Sequence, residues 1–294
     1  MNIQWYPGHM TKAKRAMQED VKAVDLIIEI VDARAPLATR NPDIESLGRG
    51  KSRMIVMNKA DLADDAASAA WSRWFQSRGY TCFLMDARSR KNLKQLMATI
   101  DKACEEKRER DRKRGILNRP VRAMVAGIPN VGKSTLINTI AGKSTAKTGN
   151  KPGVTRGNQW IRLNKSVELL DTPGILWPKF EDPKVGECIA FLGSISEMIT
   201  VPEELASELI RTLKERNCFQ GLAERFGLEE ECASGEESGQ AAELPPSEIL
   251  GRIAVKRGCL GPGGEPNMEK AAGIVMNEFR AGTLGKITLE DVPE

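Results

Sequence analysis

The chain has 294 residues, 40% of them apolar and 29% charged, with a mean hydropathy of −0.37 and a net charge of +4. This length suits about two domains, and the mild charge means that nucleic-acid contact would need local basic patches. Six cysteines without a CxxC pair and a single histidine argue against a zinc site and a disulfide framework. Because the start lacks an apolar signal core and no apolar run reaches ~18 residues, we expect a cytoplasmic protein without a membrane segment.

Short apolar runs alternate with helix-like stretches over residues 1–178. This alternation predicts an α/β domain with a mostly parallel sheet and helices on both faces. The predicted strands are 26–31, 54–57, 82–85, 122–126 and 167–170, with 160–163 as a weaker candidate. The predicted helices of this part are 64–78, 93–114 and 134–141.

The strand pattern stops near residue 179, and amphipathic helices are predicted at 201–216, 247–257 and 267–281. Residues 179–294 are therefore expected to form a second, mostly helical domain. The acidic, Pro/Gly/Ser-rich segment 229–246 predicts a flexible loop, to which we assign no function. No coiled-coil pattern or other assembly signal is present, so a monomer is expected.

Residues 127–134 (GIPNVGKS) match the phosphate-loop pattern GxxxxGK[ST] between an apolar strand and a helix. Glycines let backbone N–H groups surround phosphates at the helix start. Lys133 is predicted to reach the β- and γ-phosphates as a catalytic group, and Ser134 to bind Mg²⁺. The further nucleotide contacts expected here are Asn130, Val131, Gly132 and Thr135.

Residues 171–174 (DTPG) follow the last predicted strand. Asp171 is expected to hold Mg²⁺ through water, and the Gly174 N–H to meet the γ-phosphate. Between the two motifs lies PGVT, whose Thr155 is the candidate switch threonine that closes onto Mg²⁺ and the γ-phosphate. Thr145 and Thr148 are its alternatives.

Residues 58–61 (NKAD) predict guanine recognition, with Asn58, Lys59 and Asp61 as contacts. A carboxylate at Asp61 accepts hydrogen bonds from both N1–H and the 2-amino group of guanine, which adenine lacks, so GTP and GDP are expected rather than ATP. Asp86 and Ala87 are the expected second base loop, in which a backbone N–H would contact the guanine O6, although such a loop usually reads Ser-Ala and Asp86 departs from it. All these motifs follow strands, at the sheet edge where ligands bind in such folds.

The order of the motifs is unusual, because the base-reading NKAD precedes the phosphate loop and DTPG. The site is therefore predicted to be complete but circularly permuted. Ile175 follows DTPG, and an apolar side chain cannot orient water as the glutamine of Ras-like GTPases does. Either hydrolysis is slow or externally activated, or another residue supplies the polar group.

Two residues are candidates for that chemistry, each with a plainer alternative. His9, the only histidine, lies in WYPGHM and is either incidental or catalytic. Asn130 is either an ordinary loop residue or a ligand for a monovalent cation, whose charge would stabilise the transition state as an arginine finger does.

The motifs WYPGHM, DARAP, NKAD, GIPNVGKS, PGVT and DTPG, in this order, resemble those of the circularly permuted ribosome-assembly GTPases of the YlqF/RbgA type. The resemblance runs from Trp5 to about Pro178 and continues more loosely to the C-terminus. It implies a permuted GTPase domain, an RNA-contacting helical domain, and maturation of the large ribosomal subunit with subunit-stimulated hydrolysis. It further implies that His9 is catalytic and that Asn130 binds K⁺.

Basic positions in the helical part are candidates for rRNA phosphate contacts, or else belong to solvated helix faces: Arg252, Lys256, Arg257, Lys270 and Arg280. Since residues 175–180 lead directly from DTPG into this part, movement of Gly174 would reach it without an intermediary. We expect GTP to fix an RNA-binding orientation that hydrolysis releases. The competing interpretations are a nucleotide-sensing RNA-binding protein with little hydrolysis, and a GTPase that acts on a protein partner without RNA.

Overall fold

The computed structural model of the chain describes residues 8–116, 119–142, 159–163, 166–196, 200–228 and 244–293, with side chains from residue 11 onwards. The side chain of His9 and all of Thr145, Thr148 and Thr155 lie outside this description. No helix in the described ranges is both long and apolar enough to cross a bilayer.

The strands form one six-stranded sheet in the order β3-β2-β1-β4-β6-β5. All neighbours pair in parallel except β5, which runs antiparallel to β6 at one edge. This confirms the predicted mostly parallel sheet, and the weakest predicted strand proves to be the antiparallel one. The strands are β1 Leu26–Asp32, β2 Ser52–Asn58, β3 Thr81–Met85, β4 Val121–Ala126, β5 Gln159–Arg162 and β6 Val167–Asp171.

Helices surround the sheet and form the C-terminal part. Those of the first part are α1 Gly8–Asp20, α2 Pro42–Leu47, α3 Asp65–Ser77, α4 Leu93–Ala103, α5 Glu105–Lys113 and α6 Lys133–Ala141. Those of the second part are α7 Pro183–Phe191, α8 Pro202–Glu215, α9 Phe219–Phe226, α10 Pro246–Lys256 and α11 Met268–Ala281. The single helix predicted over 93–114 is divided at Cys104, and α1, α2, α7 and α9 were not predicted.

The two faces of β2 are both buried, which explains why the strand is a continuous apolar run. Ile55 and Met57 pack in a cluster with Trp71 and Phe75 of α3. Met54 lies in the larger core on the other side of the sheet. Parallel strands covered on both faces have this sequence character.

The strand register brings the motif-bearing ends together. Asp32 pairs with Asn58, and Asn58 pairs with Met85 in the neighbouring strand. On the other side of β1 lies β4, whose Val125 pairs with Asp171 of β6. The carboxyl ends of these strands therefore form one edge, and the loops that follow them build one site.

The C-terminal helices α8, α10 and α11 pack around residues such as Leu209, Ile253 and Val275, which are fully buried. Residues 283–293 then return to the α/β part as an extended tail. In this tail the Ile287 N–H donates to the Leu62 carbonyl at 3.0 Å, and the Leu289 N–H donates to the Arg34 carbonyl at 2.7 Å. The expected boundary at residues 178 and 179 did not anticipate this return.

Candidate nucleotide-binding site

The phosphate loop joins β4 to α6 through backbone conformations that side chains rarely adopt. Gly127 and Gly132 have φ of 149° and 100°. A Cβ on Gly127 would lie 2.5 Å from the Ile30 carbonyl oxygen, and one on Gly132 would collide with the Asn58 amide nitrogen. Both glycines are therefore required by conformation and by space.

Lys133 lies inside this loop. Its Nζ donates to the carbonyls of Gly127 at 3.1 Å and Ile128 at 2.7 Å. Burial lowers the pKa of the Lys133 ammonium to about 8, and the Asp171 carboxylate opposes that shift. The ammonium is thus placed where phosphate oxygens would replace backbone carbonyls as its partners.

Asp171 ends β6 and is buried beside the loop. Its Oδ1 atom is buried and has no hydrogen-bond partner within the described part of the chain. Burial raises the pKa of the Asp171 carboxyl to about 6, against the effects of Lys133 and the Thr172 N–H. An unpartnered buried carboxylate oxygen suits Mg²⁺, a hard cation that takes oxygen ligands.

Mg²⁺ is expected to tighten GDP binding, and we call the ratio of the Kd values in EDTA and in Mg²⁺ the Mg²⁺-dependent part of the affinity. We expect this ratio to fall about tenfold per pH unit below pH 6, because the proton on Asp171 must leave before Mg²⁺ binds. The sign follows from the raised pKa, since Asp171 is ionised above about 6 and neutral below it. Titration of a fluorescent GDP analogue between pH 5 and 7.5, with Mg²⁺ or EDTA, measures this part. Asp171→Asn is the control, in which the Mg²⁺-dependent part and its pH dependence should both disappear. A Mg²⁺ contribution that stayed constant down to pH 5 would contradict this assignment.

The DTPG segment lies against the phosphate loop. A Cβ on Gly174 would lie 2.7 Å from Pro129 N and 2.9 Å from Lys133 Nζ. The next residue, Ile175, is 2% exposed, and its carbonyl accepts a hydrogen bond of 2.8 Å from the Asn41 side chain. Ile175 is therefore a core residue, and it offers no polar group to a water molecule.

Asn58 joins the base loops to the phosphate loop. Its Nδ2 donates to the Val131 carbonyl at 2.7 Å, and its Oδ1 accepts from the Ala87 N–H at 2.8 Å. The Thr139 hydroxyl of α6 in turn donates to the Ala87 carbonyl at 2.6 Å. The described contacts of the Asn58 amide are thus with loop backbone, and its predicted contact with the nucleotide stays a prediction.

The two base loops meet through an arginine that the sequence did not single out. Arg88 Nη2 donates to Asp61 Oδ2 at 2.5 Å, and Arg88 Nε donates to Asp86 Oδ1 at 3.0 Å. Asp86 Oδ1 also accepts from the Arg88 N–H at 2.9 Å, which fixes the turn. Asp61 Oδ1 is buried without a hydrogen-bond partner in the described ranges. Its position suits a ligand that donates hydrogen bonds, as guanine does.

Lys59 reaches into a buried charged cluster around the DARAP run, residues 32–36. Lys59 Nζ lies 2.8 Å from Asp32 Oδ2, and Arg34 donates to both oxygens of Asp32 at 3.0 and 2.9 Å. Although burial raises the pKa of the Asp32 carboxyl, the charges of Arg34 and Lys59 hold it well below its usual range. Arg34 also donates to the Phe279 carbonyl of α11 at 3.3 Å.

Asn130 connects the phosphate loop to the helical part. It has a left-handed φ of 62°, and its Nδ2 donates to the Gly193 carbonyl at 2.5 Å. Gly193 follows α7, whose last carbonyls on Ala190 and Phe191 accept hydrogen bonds from Arg280. Asn130 thus forms a contact between the phosphate loop and the segment that follows α7, and K⁺ binding by this residue stays a prediction.

The basic candidates of the helical part fall into two groups. Lys256 and Arg257 are exposed at the end of α10, and their side chains donate to the carbonyls of Gly227 and Arg225 at the end of α9. Lys270 is exposed in the first turn of α11, and Arg252 pairs with Glu248 at 3.0 Å. Arg280, in contrast, is half-buried, and its guanidinium donates to the α7 carbonyls of Ala190 and Phe191. The exposed or partly exposed basic side chains of α10 and of the first turn of α11 are therefore better placed for RNA phosphates than the half-buried Arg280.

A mostly parallel sheet whose strand ends carry a phosphate loop, a DxxG segment and an NKxD segment, with NKxD first, defines a circularly permuted P-loop GTPase. A family model described as "50S ribosome-binding GTPase" matches residues 122–217. Ribosome biogenesis GTPase A of Bacillus cereus is 42% identical over 100% of this chain and 95% of its own, and that of Thermotoga maritima is 31% identical over 98% and 94%. The chain belongs to the ribosome biogenesis GTPase A family.

A solved structure and a mitochondrial relative agree with this assignment. A structure described as GNP-bound YlqF from T. maritima superposes with a TM-score of 0.62 at 25% identity, and it covers 95% of this chain and 98% of that one. Mitochondrial ribosome-associated GTPase 1 of mouse is 31% identical over 98% of this chain and 90% of its own. The protein is therefore a GTPase that binds guanine nucleotides.

Proposed function

We propose that this GTPase is an assembly factor for the large ribosomal subunit, that it binds the pre-subunit and its rRNA in the GTP state, and that subunit-stimulated hydrolysis releases it. The names of its relatives, which refer to ribosome biogenesis and to mitochondrial ribosomes, support a ribosomal partner. The observation that carries the release step is that the phosphate loop and the NKAD loop both hydrogen-bond directly to the C-terminal part, the first near α7 and the second at the tail. Action in the cytoplasm as a monomer is part of this proposal.

The nucleotide chemistry is assigned to residues of the loops described above. Asp61 reads guanine, Lys133 contacts the β- and γ-phosphates, and Asp171 with Ser134 and Thr155 would hold Mg²⁺. Mg²⁺ supplies charge that neutralises the phosphates. Asn130 would hold K⁺, and His9 would act on the attacking water, a role that buried Ile175 cannot fill.

Two separate contacts would carry the nucleotide state to the helical part. Asn130 of the phosphate loop donates to the carbonyl of Gly193, two residues after the end of α7. Leu62, next to Asp61, accepts from the Ile287 N–H of the tail. Nucleotide bound at the phosphate loop or at the base loop would therefore favour one position of the C-terminal part. Residues 175–180 provide a third, covalent connection.

The proposed RNA surface is centred on Lys256 and Arg257. Beside them, Val255 and Leu260 are 57% and 51% exposed and add apolar surface to the positive charge. Positive charge next to exposed apolar surface suits RNA, whose phosphates and unstacked bases make ionic and apolar contacts. Lys270 and Arg252 extend the surface along the neighbouring helices.

We expect Lys256→Glu combined with Arg257→Glu to weaken binding to large subunits and to lower the slope of log affinity against log salt by about 2, one for each phosphate contact. Co-sedimentation with purified subunits over a KCl series measures both quantities. Lys22→Glu with Arg211→Glu is the control with the same charge change, at exposed positions elsewhere. An unchanged slope would remove this surface from the proposal.

The decisive experiment is GTP turnover in KCl, with and without purified large subunits, for the wild type and His9→Ala. Subunit stimulation that falls about a hundredfold in His9→Ala is the expected result, in the range for a group that activates water. Turnover that ignores subunits would move the partner elsewhere. Stimulation that survives in His9→Ala would keep the partner and exclude His9 from the chemistry. Replacing KCl by NaCl tests the K⁺ role of Asn130 in the same assay.

A nucleotide-sensing RNA-binding protein with little hydrolysis is the second candidate, because Ile175 is buried in the core. On that reading, subunit binding follows nucleotide occupancy, and His9→Ala leaves subunit release unchanged. The turnover experiment decides between the two when subunit release is followed in parallel.

A further inference from the structure

Arg88 lies between two carboxylates that belong to different base loops. Its Nη2 donates to Asp61 Oδ2 at 2.5 Å and to Asp86 Oδ2 at 3.4 Å, while its Nε donates to Asp86 Oδ1 at 3.0 Å. Without a cation between them, two carboxylates so placed would repel each other, and the Asp61 side chain would turn away from Asp86.

The aspartate at position 86 explains why a cationic side chain is needed next to Asp61. The second base loop usually reads Ser-Ala, and a serine hydroxyl there could donate a hydrogen bond to the Asp61 carboxylate. Asp86 cannot donate when it is ionised. Its carboxylate instead accepts from the Arg88 N–H at 2.9 Å and from the Arg88 side chain, so it directs the guanidinium towards Asp61.

We propose that Arg88 is a positioning residue for guanine recognition, which holds the Asp61 carboxylate so that its Oδ1 atom faces the base. Oδ1 is the atom that is buried without a partner in the described ranges, whereas Oδ2 is held by Arg88. A carboxylate oxygen has more than one lone pair, so Oδ2 can accept from Arg88 and from guanine together. The inference rests on the proposed role of Asp61 as base reader.

The test compares the Kd values for GDP and IDP, which lacks the 2-amino group, using the full chain with Mg²⁺. Arg88→Ala is expected to lower the IDP-to-GDP ratio of Kd about tenfold, the size of one charge-assisted hydrogen bond. Arg88→Ala combined with Asp86→Ser is expected to restore the ratio, because it removes the repulsion and supplies a hydroxyl donor. Arg90→Ala, at an exposed arginine of the same loop, should leave the ratio unchanged.

Three outcomes would overturn the proposal. The ratio could stay unchanged in Arg88→Ala, the double variant could remain as poor as the single one, or Arg88→Ala could bind GDP more tightly, which would make Arg88 a competitor of the base. A partly unfolded variant would lose both nucleotides equally, so the ratio reports positioning alone. Asp61→Ala is measured in parallel. If Asp61→Ala keeps the wild-type ratio, Asp61 does not read the base and the proposed function of Asp61 fails. If Asp61→Ala lowers the ratio while Arg88→Ala leaves it unchanged, Asp61 reads the base and only the role of Arg88 fails.

Discussion

Gly174→Ala is expected to lower GTP hydrolysis about a thousandfold while GDP binding is largely retained, as for the loss of one preorganised donor to the transition state. The added Cβ would lie 2.7 Å from Pro129 N, 2.8 Å from Pro129 Cα and 2.9 Å from Lys133 Nζ. Two of these atoms belong to the backbone of the phosphate loop, which cannot yield as a flexible side chain would. The segment must therefore move away, and the Gly174 N–H can no longer reach the γ-phosphate.

Single-turnover hydrolysis and GDP affinity together measure this effect. Gly273→Ala is the matched control, because an added Cβ in that part of α11 meets nothing within 4 Å. It should leave hydrolysis unchanged and stabilise the helix slightly, by up to about 1 kcal/mol. A Gly174→Ala protein that hydrolyses GTP at nearly the wild-type rate would show that DTPG does not approach the γ-phosphate.

Arg34→Met is expected to lower the free energy of unfolding by about 3 kcal/mol, near the lower end for removing one partner of a buried ion pair. Arg34 is 1% exposed and makes a bidentate pair with Asp32. Its loss leaves Asp32 with Lys59 as its remaining charged partner at 2.8 Å, which keeps the cost from being larger. It also removes the hydrogen bond to the Phe279 carbonyl and the packing of the guanidinium against the Phe279 ring.

Urea unfolding compares this variant with the wild type at one pH and one nucleotide concentration, since bound nucleotide shifts apparent stability. Arg211→Met is the control, because Arg211 pairs with Glu208 on the exposed face of α8. Its effect should stay within about 0.5 kcal/mol, as for other surface changes. Equal stability of the two variants would mean that the attraction between Asp32 and Arg34 only offsets the cost of burying their charges, and that the pair adds nothing to the free energy of unfolding.

These two changes address different connections between the nucleotide site and the C-terminal part. Gly174 lies where the γ-phosphate would be sensed, whereas Arg34 links the Lys59 end of the base loop to α11 and the tail. The half-buried carboxylate of Glu290 adds to the second connection, since it accepts the N–H groups of Leu37 and Ala38 at 2.7 Å each. The DARAP run therefore has a structural explanation as the docking site for residues 283–293.

The amino-acid sequence by itself determined the strands, the class of site and the permuted motif order. These features are encoded locally: a buried parallel strand requires a continuous apolar run, and a phosphate loop requires glycines before a helix that begins with Lys133 and Ser134. Helices α1, α2, α7 and α9 were missed because they are short or lack a clear apolar periodicity, and tertiary packing stabilises them.

Only the tertiary structure decided which loops contact each other. Asn58 and Val131, Arg34 and Phe279, and Leu62 and Ile287 are far apart in the chain, and no local pattern specifies such partners. The same holds for Arg88, whose meaning depends on Asp61 lying opposite in space. Local periodicity reports which face of an element is buried, whereas the pairing of polar groups is set by the packing that brings distant segments together.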